Sequence, residues 1–247
     1  MACAFVLIDG LGADGATALT SIQKDVAVGK CRQWAVTAAD PTLSRPNYAT
    51  LLTGRNPDSH QILENGDARR LPDGHLFDRL ERLGLRSALV GYHWWRDLTG
   101  REGTDWRYYD NDWTSDAWVF AQAAELATAS PDLLVVHPMG VDLAGHCFGG
   151  GSPQYLAAVT ALDHLIAQFA ATWFRRSHGR NPLLIGSDHG MGEDGLHGRP
   201  TDRERQVTYF AYAPAWTAPI TEQRQVAGLL YCLATGGTAF SQEEAKA

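Results

Sequence analysis

Pro182-Leu183-Leu184-Ile185-Gly186-Ser187-Asp188-His189-Gly190-Met191 is the stretch whose reading decides the fold. From Pro182 to Gly186 the run is apolar without the alternation of a half-exposed strand, so it reads as a short strand buried on both faces. An Asp and a His placed side by side where such a strand stops lie at the rim of a sheet, and in open α/β sheets that rim is where ligands bind. Carboxylate oxygen and imidazole nitrogen form a zinc-type donor pair. Asp-His-Gly alone is a weak signal, so the reading depends on matching donors at other strand ends.

Two further strand ends supply them. Ala4 to Ile8 is an apolar strand that stops at Asp9, followed by a Gly10-Leu11-Gly12 turn where backbone can approach a bound group. Pro131 to His137 is a third buried strand, and beyond it Asp142 and His146 stand four residues apart. That spacing turns both side chains towards one point on a helical turn. His197-Gly198 follows the Asp188-His189 pair closely. With Asp9, Asp142, Asp188, His146, His189, His197 and a hydroxyl, the chain carries enough oxygen and nitrogen donors for two divalent ions. Such a pair stabilises both the attacking and the leaving oxygen of an in-line displacement at phosphorus. The donor types suit zinc, with manganese as the alternative.

The hydroxyl candidate is Ser44 in Pro41-Thr42-Leu43-Ser44-Arg45-Pro46-Asn47-Tyr48, which opens a helix. Pro46 fits a first helical turn and Gly54 closes the helix. Ser44 therefore reads in two ways. It caps the helix, or it is a nucleophile whose alkoxide the helix dipole and a metal stabilise.

Strands alternate with helices elsewhere. A helical stretch runs over 17–28 and a short strand over 34–37. A loop-like segment covers 55–74, and a helix over 75–83 shows Leu76, Leu80 and Leu83 on one face. Further strands are read at 87–91 and 206–212. Helices cover 115–128, 152–176 (opened by Ser152-Pro153) and 221–234. The pattern predicts a three-layer α/β sandwich, with a mostly parallel central sheet flanked by helices on both faces. Aromatics crowd two stretches read as loops, Tyr92 to Arg96 (with Trp94 and Trp95) and Trp106 to Trp113. These rings either stack a base or line an apolar pocket, or else they cover the sheet edge.

With 247 residues the chain has room for one sizeable core, read as a single domain over 1–240 and a polar tail over 241–247. Its apolar content of 45% and charged content of 20% are those of an ordinary soluble protein. A net charge of -7 argues against a nucleic-acid polymer as partner, because phosphate neutralisation needs clustered Lys and Arg. It leaves room for a small phosphorylated substrate, since bound metal supplies local positive charge. Cys3, Cys31, Cys147 and Cys232 lack CxxC spacing and read as free thiols. With no signal peptide and no membrane span in the sequence, the expected address is cytoplasmic, with no membrane partner. The oligomeric state is left open.

The segments FVLIDGLG, PTLSRPNYATLLTGRNPDSHQI, VVHPMGVDLAGH and GSDHGMGEDGLHG together resemble the alkaline phosphatase superfamily, in that family's order from Asp9 to about Phe210. The nearest branch is that of the nucleotide pyrophosphatases/phosphodiesterases. The last two segments are also similar to phosphoethanolamine transferases that act on glycolipid anchors. The resemblance implies a binuclear zinc site, with Asp9, Ser44, Asp188 and His189 on one ion and Asp142, His146 and His197 on the other. It implies that Ser44 attacks phosphorus to give a phosphoenzyme that water hydrolyses, and that Asn65 binds a phosphoryl oxygen. Two departures stand out: Ser44 occupies the place where the branch usually has Thr (Thr42 lies two residues earlier), and the cap insertions of larger members are missing. Substrate choice then falls to the loops around Asn65, His93 to Arg96 and Trp106 to Trp113. Arg45 and Arg199 are either phosphate donors or solvent-facing charge. The implied activity is a phosphodiesterase. A phosphomonoesterase, a phosphonate hydrolase and an inactive phospho-ligand binder are the alternatives.

Overall fold

The strand β1 (Cys3–Ile8) is buried along its whole length. Its odd-numbered residues Cys3, Phe5 and Leu7 enter one core, and Ala4, Val6 and Ile8 enter a second core on the opposite face. Two-faced burial of this kind makes the run continuously apolar, as expected of a central parallel strand. The chain is described by a computed structural model over residues 2–213 and 218–237. The expected polar tail 241–247 and the end of the expected domain at 240 lie outside the described residues.

Six more strands complete the sheet: β2 (Arg32–Thr37), β3 (Ser87–Tyr92), β4 (Trp106–Tyr109), β5 (Leu133–Val136), β6 (Leu183–Ser187) and β7 (Gln206–Tyr212). Their spatial order is β2-β7-β6-β1-β5-β3-β4. β1 pairs in parallel with β5 on one side and β6 on the other, with Val6 opposite Val136 and Ile8 opposite Ser187. Only β7 runs against the rest, pairing antiparallel with both β6 and β2. The register brings the carboxyl ends of β1, β5 and β6 to one edge, and that edge carries Asp9, His137 and Asp188.

Helices cover both faces, as the alternating pattern predicts. On one side lie α2 (Ser44–Thr53), α4 (Leu76–Arg82) and α10 (Val226–Thr235). On the other lie α1 (Thr20–Ala27), α6 (Asp116–Thr128) and α8 (Pro153–Ser177), where Ser152 caps α8 by accepting the Tyr155 N–H. The helical stretch expected over 17–28 begins instead with a 3-10 turn at Gly15–Ala18 before α1, and the 55–74 loop contains the single turn α3 (Pro57–His60).

Two expectations need correction. Leu83 does not join the apolar face of α4: the helix ends one residue earlier, Gly84 turns the chain at φ 74°, and Leu83 is 55% exposed. Phe77 takes the third buried place beside Leu76 and Leu80. The aromatic stretches are loops only in part: Trp94–Thr99 forms helix α5 and Trp106–Tyr109 is the edge strand β4, while 110–113 stays a loop. Elements of six and four residues are too short to show a period in sequence.

Among the described residues no helix is long and apolar enough to cross a membrane. Leu7→Ala, in the central strand, is expected to lower unfolding free energy by about 3 kcal/mol through lost burial and the cavity left behind. Leu83→Ala should change it by less than about 0.5 kcal/mol. Denaturant melts of the two variants check this difference.

Candidate active site at the carboxyl edge of the sheet

Asp9 follows β1 directly and Asp188 and His189 follow β6, so sheet register alone places these three together. Asp142 and His146 arrive from α7 (Gly140–Phe148), one helical turn apart, with His146 Nε2 3.3 Å from Asp142 Oδ2. Close approach of α7 to β1 depends on Gly10. Its φ of 71° is left-handed, and a Cβ there would lie 2.7 Å from Asp142 Oδ1 and 2.9 Å from the Asp142 Cα.

Ser44 is the first residue of α2, and the N-cap position belongs to Leu43, which makes no side-chain cap. The capping reading of Ser44 is thereby set aside. Its hydroxyl faces the cluster, 3.0 Å from His189 Nε2 and 3.4 Å from Asp9 Oδ1. Thr42 is not a rival for this place. Its hydroxyl accepts the Gly198 N–H and lies 3.0 Å from Glu204 Oε2, inside a buried structural network.

The three imidazoles share one orientation. His189 Nδ1 lies 3.0 Å from the Gly190 carbonyl, His146 Nδ1 2.8 Å from the Gly195 carbonyl, and His197 Nδ1 2.8 Å from the Thr42 carbonyl. A carbonyl only accepts, so each Nδ1 carries a proton and each Nε2 turns to the centre. There the His197 and His146 Nε2 atoms approach to 3.2 Å, and the His189 and His197 rings stack at 3.9 Å. With both rings neutral, two lone pairs would meet there; a proton on His146 or a cation between the rings relieves that contact.

The carboxylates give the same indication. Asp9 and Asp188 are completely buried and Asp142 nearly so. Asp142 Oδ1 and Asp188 Oδ2 have no hydrogen-bond partner, an expensive condition for buried carboxylate oxygens. Burial and the charge of Asp9 push the Asp188 carboxyl well above its ordinary range. Burial disfavours the His189 cation, yet Asp188 and Asp9 outweigh it and bring that pKa up to about 10. Burial and the nearby His189 take His197 down to about 4, while the hydrogen bond to Asp142 raises His146 to about 9. The donor atoms of Asp9, Asp188 and His189 lie within 4.8 Å of one another, as do those of Asp142, His189 and His197. The residues thus fit two cations, with His189 between the groups. His146 joins the second through Asp142 and His197.

The remaining candidates separate. Asn65 Oδ1 accepts the Arg45 backbone N–H at 3.0 Å, beside Ser44, and its Nδ2 makes no hydrogen bond among the described residues. Arg45 is only 4% exposed, not a solvent-facing charge, and its guanidinium points to Asp97 at 3.7 Å. Arg199 is held in ion pairs with Asp194 and Glu204, both at 2.7 Å. Trp94 is half-buried. Trp95 is 1% exposed and stacked on Tyr48 at 4.7 Å, which leaves it no face for a substrate and corrects its reading as a contact.

Sequence reading also passes over supporting residues. His137, at the end of β5, and Tyr48 both meet Asp9 Oδ2. Tyr48 had a signal, lying one turn after Ser44 on the same face of α2. Gln223 Nε2 holds the Asp188 carbonyl at 2.7 Å across more than thirty residues of sequence, which no local pattern announces.

A mostly parallel sheet with an Asp-His cluster and a helix-start hydroxyl at its carboxyl edge defines the alkaline phosphatase superfamily arrangement. Within it, the chain belongs to the type I phosphodiesterase / nucleotide pyrophosphatase family, whose model matches residues 3–195. Murine ectonucleotide pyrophosphatase / phosphodiesterase 5 superposes with a TM-score of 0.78 at 15% identity, covering 95% of each chain. Phosphonoacetate hydrolase from Sinorhizobium meliloti does so with a TM-score of 0.71 at 12% identity, covering 95% of this chain and 96% of that one. In sequence the chain is 24% identical over 187 residues to the catalytic subunit of human GPI ethanolamine phosphate transferase 3, covering 73% of this chain and 17% of that protein. It is also 24% identical over 214 residues to the human transferase 2 catalytic subunit, covering 81% of this chain and 22% of that protein. The chain thus spans about a fifth of the length of these two relatives.

Gly10→Ala is expected to push Asp142 out of place and to destabilise the fold by about 2 kcal/mol. A thermal melt measures the second effect, and a crystal structure of the variant shows the first.

Proposed function

We propose that this chain is a binuclear, zinc-dependent phosphoester hydrolase. In this reading it cleaves a small phosphodiester or nucleotide-like compound through a phosphoserine on Ser44. The observation that carries the reading is the Ser44 hydroxyl, standing within 3.4 Å of Asp9 Oδ1 and 3.0 Å of His189 Nε2 at the start of a helix. Asp9, Ser44, Asp188 and His189 would hold one ion. Asp142, His146 and His197 would hold the other. Bound there, zinc (or manganese) supplies Lewis-acid charge to developing oxyanions.

The chain's own residues do the rest. Ser44 Oγ attacks phosphorus, the bond to the leaving alcohol breaks, and that alcohol departs with a proton. Water then cleaves the Ser44–phosphorus ester and releases a monoester. The positive end of α2 favours the Ser44 alkoxide. Asn65, anchored through its oxygen to the Arg45 N–H, has its amide Nδ2 available to donate to a phosphoryl oxygen. A neutral donor suits a diester, which lacks the third phosphoryl charge of a monoester. Arg45 is near enough to Ser44 in the chain to serve a monoester if its guanidinium leaves Asp97. In this reading Trp94, half-buried with its ring 6.4 Å from that of Tyr48, contacts the leaving group. The cytoplasmic setting and the single domain over 1–240 expected from the sequence belong to this reading.

A second reading follows from the relatives named as ethanolamine phosphate transferases: an alcohol in place of water takes the phosphoryl group from Ser44. Turnover of an aryl phosphodiester with zinc, compared with the matching monoester and repeated with an added alcohol, separates these readings. A diester-to-monoester ratio well above one supports the diesterase, and a ratio below one makes the protein a phosphatase. A phosphorylated alcohol among the products supports transfer.

Ser44→Ala is expected to lower kcat by more than about 1,000-fold while two ions still bind. Near-normal turnover would remove Ser44 as nucleophile. Asp142→Ala and His197→Ala should each leave one ion per chain by elemental analysis, and unchanged metal content would refute the assignment of the second ion.

A further inference from the structure

Asp9 is flanked by two side chains outside the ligand set, Tyr48 from α2 and His137 from the end of β5. The Tyr48 hydroxyl donates to Asp9 Oδ2, and His137 Nε2 lies 3.0 Å from the same oxygen. The other ring nitrogen of His137 faces the Tyr92 backbone N–H at 3.4 Å. An N–H only donates, so His137 Nδ1 holds the lone pair and Nε2 carries the proton towards Asp9. Tyr109 secures the far side by donating its hydroxyl to the His137 carbonyl at 2.6 Å.

The rings are also fixed by packing. Tyr48 stacks on Trp95 at 4.7 Å with 12° between planes and meets His137 edge-on at 4.9 Å. Asp9, Tyr48 and His137 are each completely buried. No lone pair of His137 points at the ion cluster, so it is not an additional ligand. Asp9 Oδ2 is saturated by two donors, and Oδ1 is left 3.4 Å from both Ser44 Oγ and His189 Nε2.

We infer that Tyr48 and His137 are positioning residues. Together they commit Asp9 to present Oδ1 alone, as a one-oxygen ligand on the Ser44 side, and so set the affinity for the ion shared by Asp9, Asp188 and His189. Trp95, read from sequence as a substrate contact, has its place here as the wall behind Tyr48. The inference rests on the two-ion reading above and adds which oxygen binds and what holds it there.

The test is a competitive chelator titration of zinc on the purified full chain, with thermal melts alongside. Tyr48→Phe keeps the ring stack and removes only the hydroxyl. His137→Leu removes the second donor, whereas His137→Gln retains an N–H that reaches Oδ2. Tyr48→Phe and His137→Leu are expected to weaken one of the two zinc equivalents by about 10- to 100-fold and leave the other unchanged. His137→Gln should restore most of that loss. Titrations of Tyr48→Phe and His137→Leu that superpose on the parent overturn the inference. So does equal weakening of both equivalents with a fall in melting temperature, which marks a merely structural role. A parent chain that binds fewer than two equivalents overturns the two-ion reading and the inference with it.

Discussion

Three carboxylates, Asp9, Asp142 and Asp188, are buried within reach of one another, and this concentration of negative charge is the constraint on which the rest depends. Carboxylates withdrawn from water repel strongly, so a fold that gathers them must supply matching positive charge. Protons do part of this, as the raised carboxyl of Asp188 and the raised imidazole of His189 show. Asp142 Oδ1 and Asp188 Oδ2 are left without a hydrogen bond, which marks where this charge is least compensated. The donor atoms of Asp9, Asp188 and His189, and of Asp142, His189 and His197, are grouped closely enough to hold cations there.

Holding such a cluster requires rigid backing, and the backing is mostly backbone. Carbonyls of Thr42, Gly190 and Gly195 aim the imidazoles, and the Gly10 N–H fixes Asp188 Oδ1 at 3.2 Å. These carbonyls lie on loops, which are themselves tied down. Thr42, Glu204 and Arg199 form one such tie, bringing the loop of His197 against the start of α2. The ion pairs of Arg199 therefore serve geometry and leave little of that side chain for phosphate.

Aromatic residues divide by depth. Trp95 and Tyr109 are buried behind Asp9 and His137, where their bulk prevents the rings from turning, while Trp113 is 73% exposed. In sequence the two groups look alike, because a dense aromatic run carries no record of which rings the sheet will cover. A helix of six residues and a strand of four sort them, and elements that short leave no period to read.

Much of the fold and the ligand set is legible in the sequence by itself. Continuous apolar runs identify β1, β5 and β6 because strands buried on both faces cannot alternate, and the Asp or His at each end follows from chain order alone. The spacing of Asp142 and His146 likewise follows from helix geometry. Only the tertiary structure decides that β1 lies between β5 and β6, that β7 alone is reversed, and that Ser44 turns inward instead of capping its helix. It alone brings His137 and Tyr48 to one oxygen of Asp9. Local pattern records which face of an element is buried. Which element it is buried against depends on contacts between residues far apart in the chain, and those exist only once the sheet has closed.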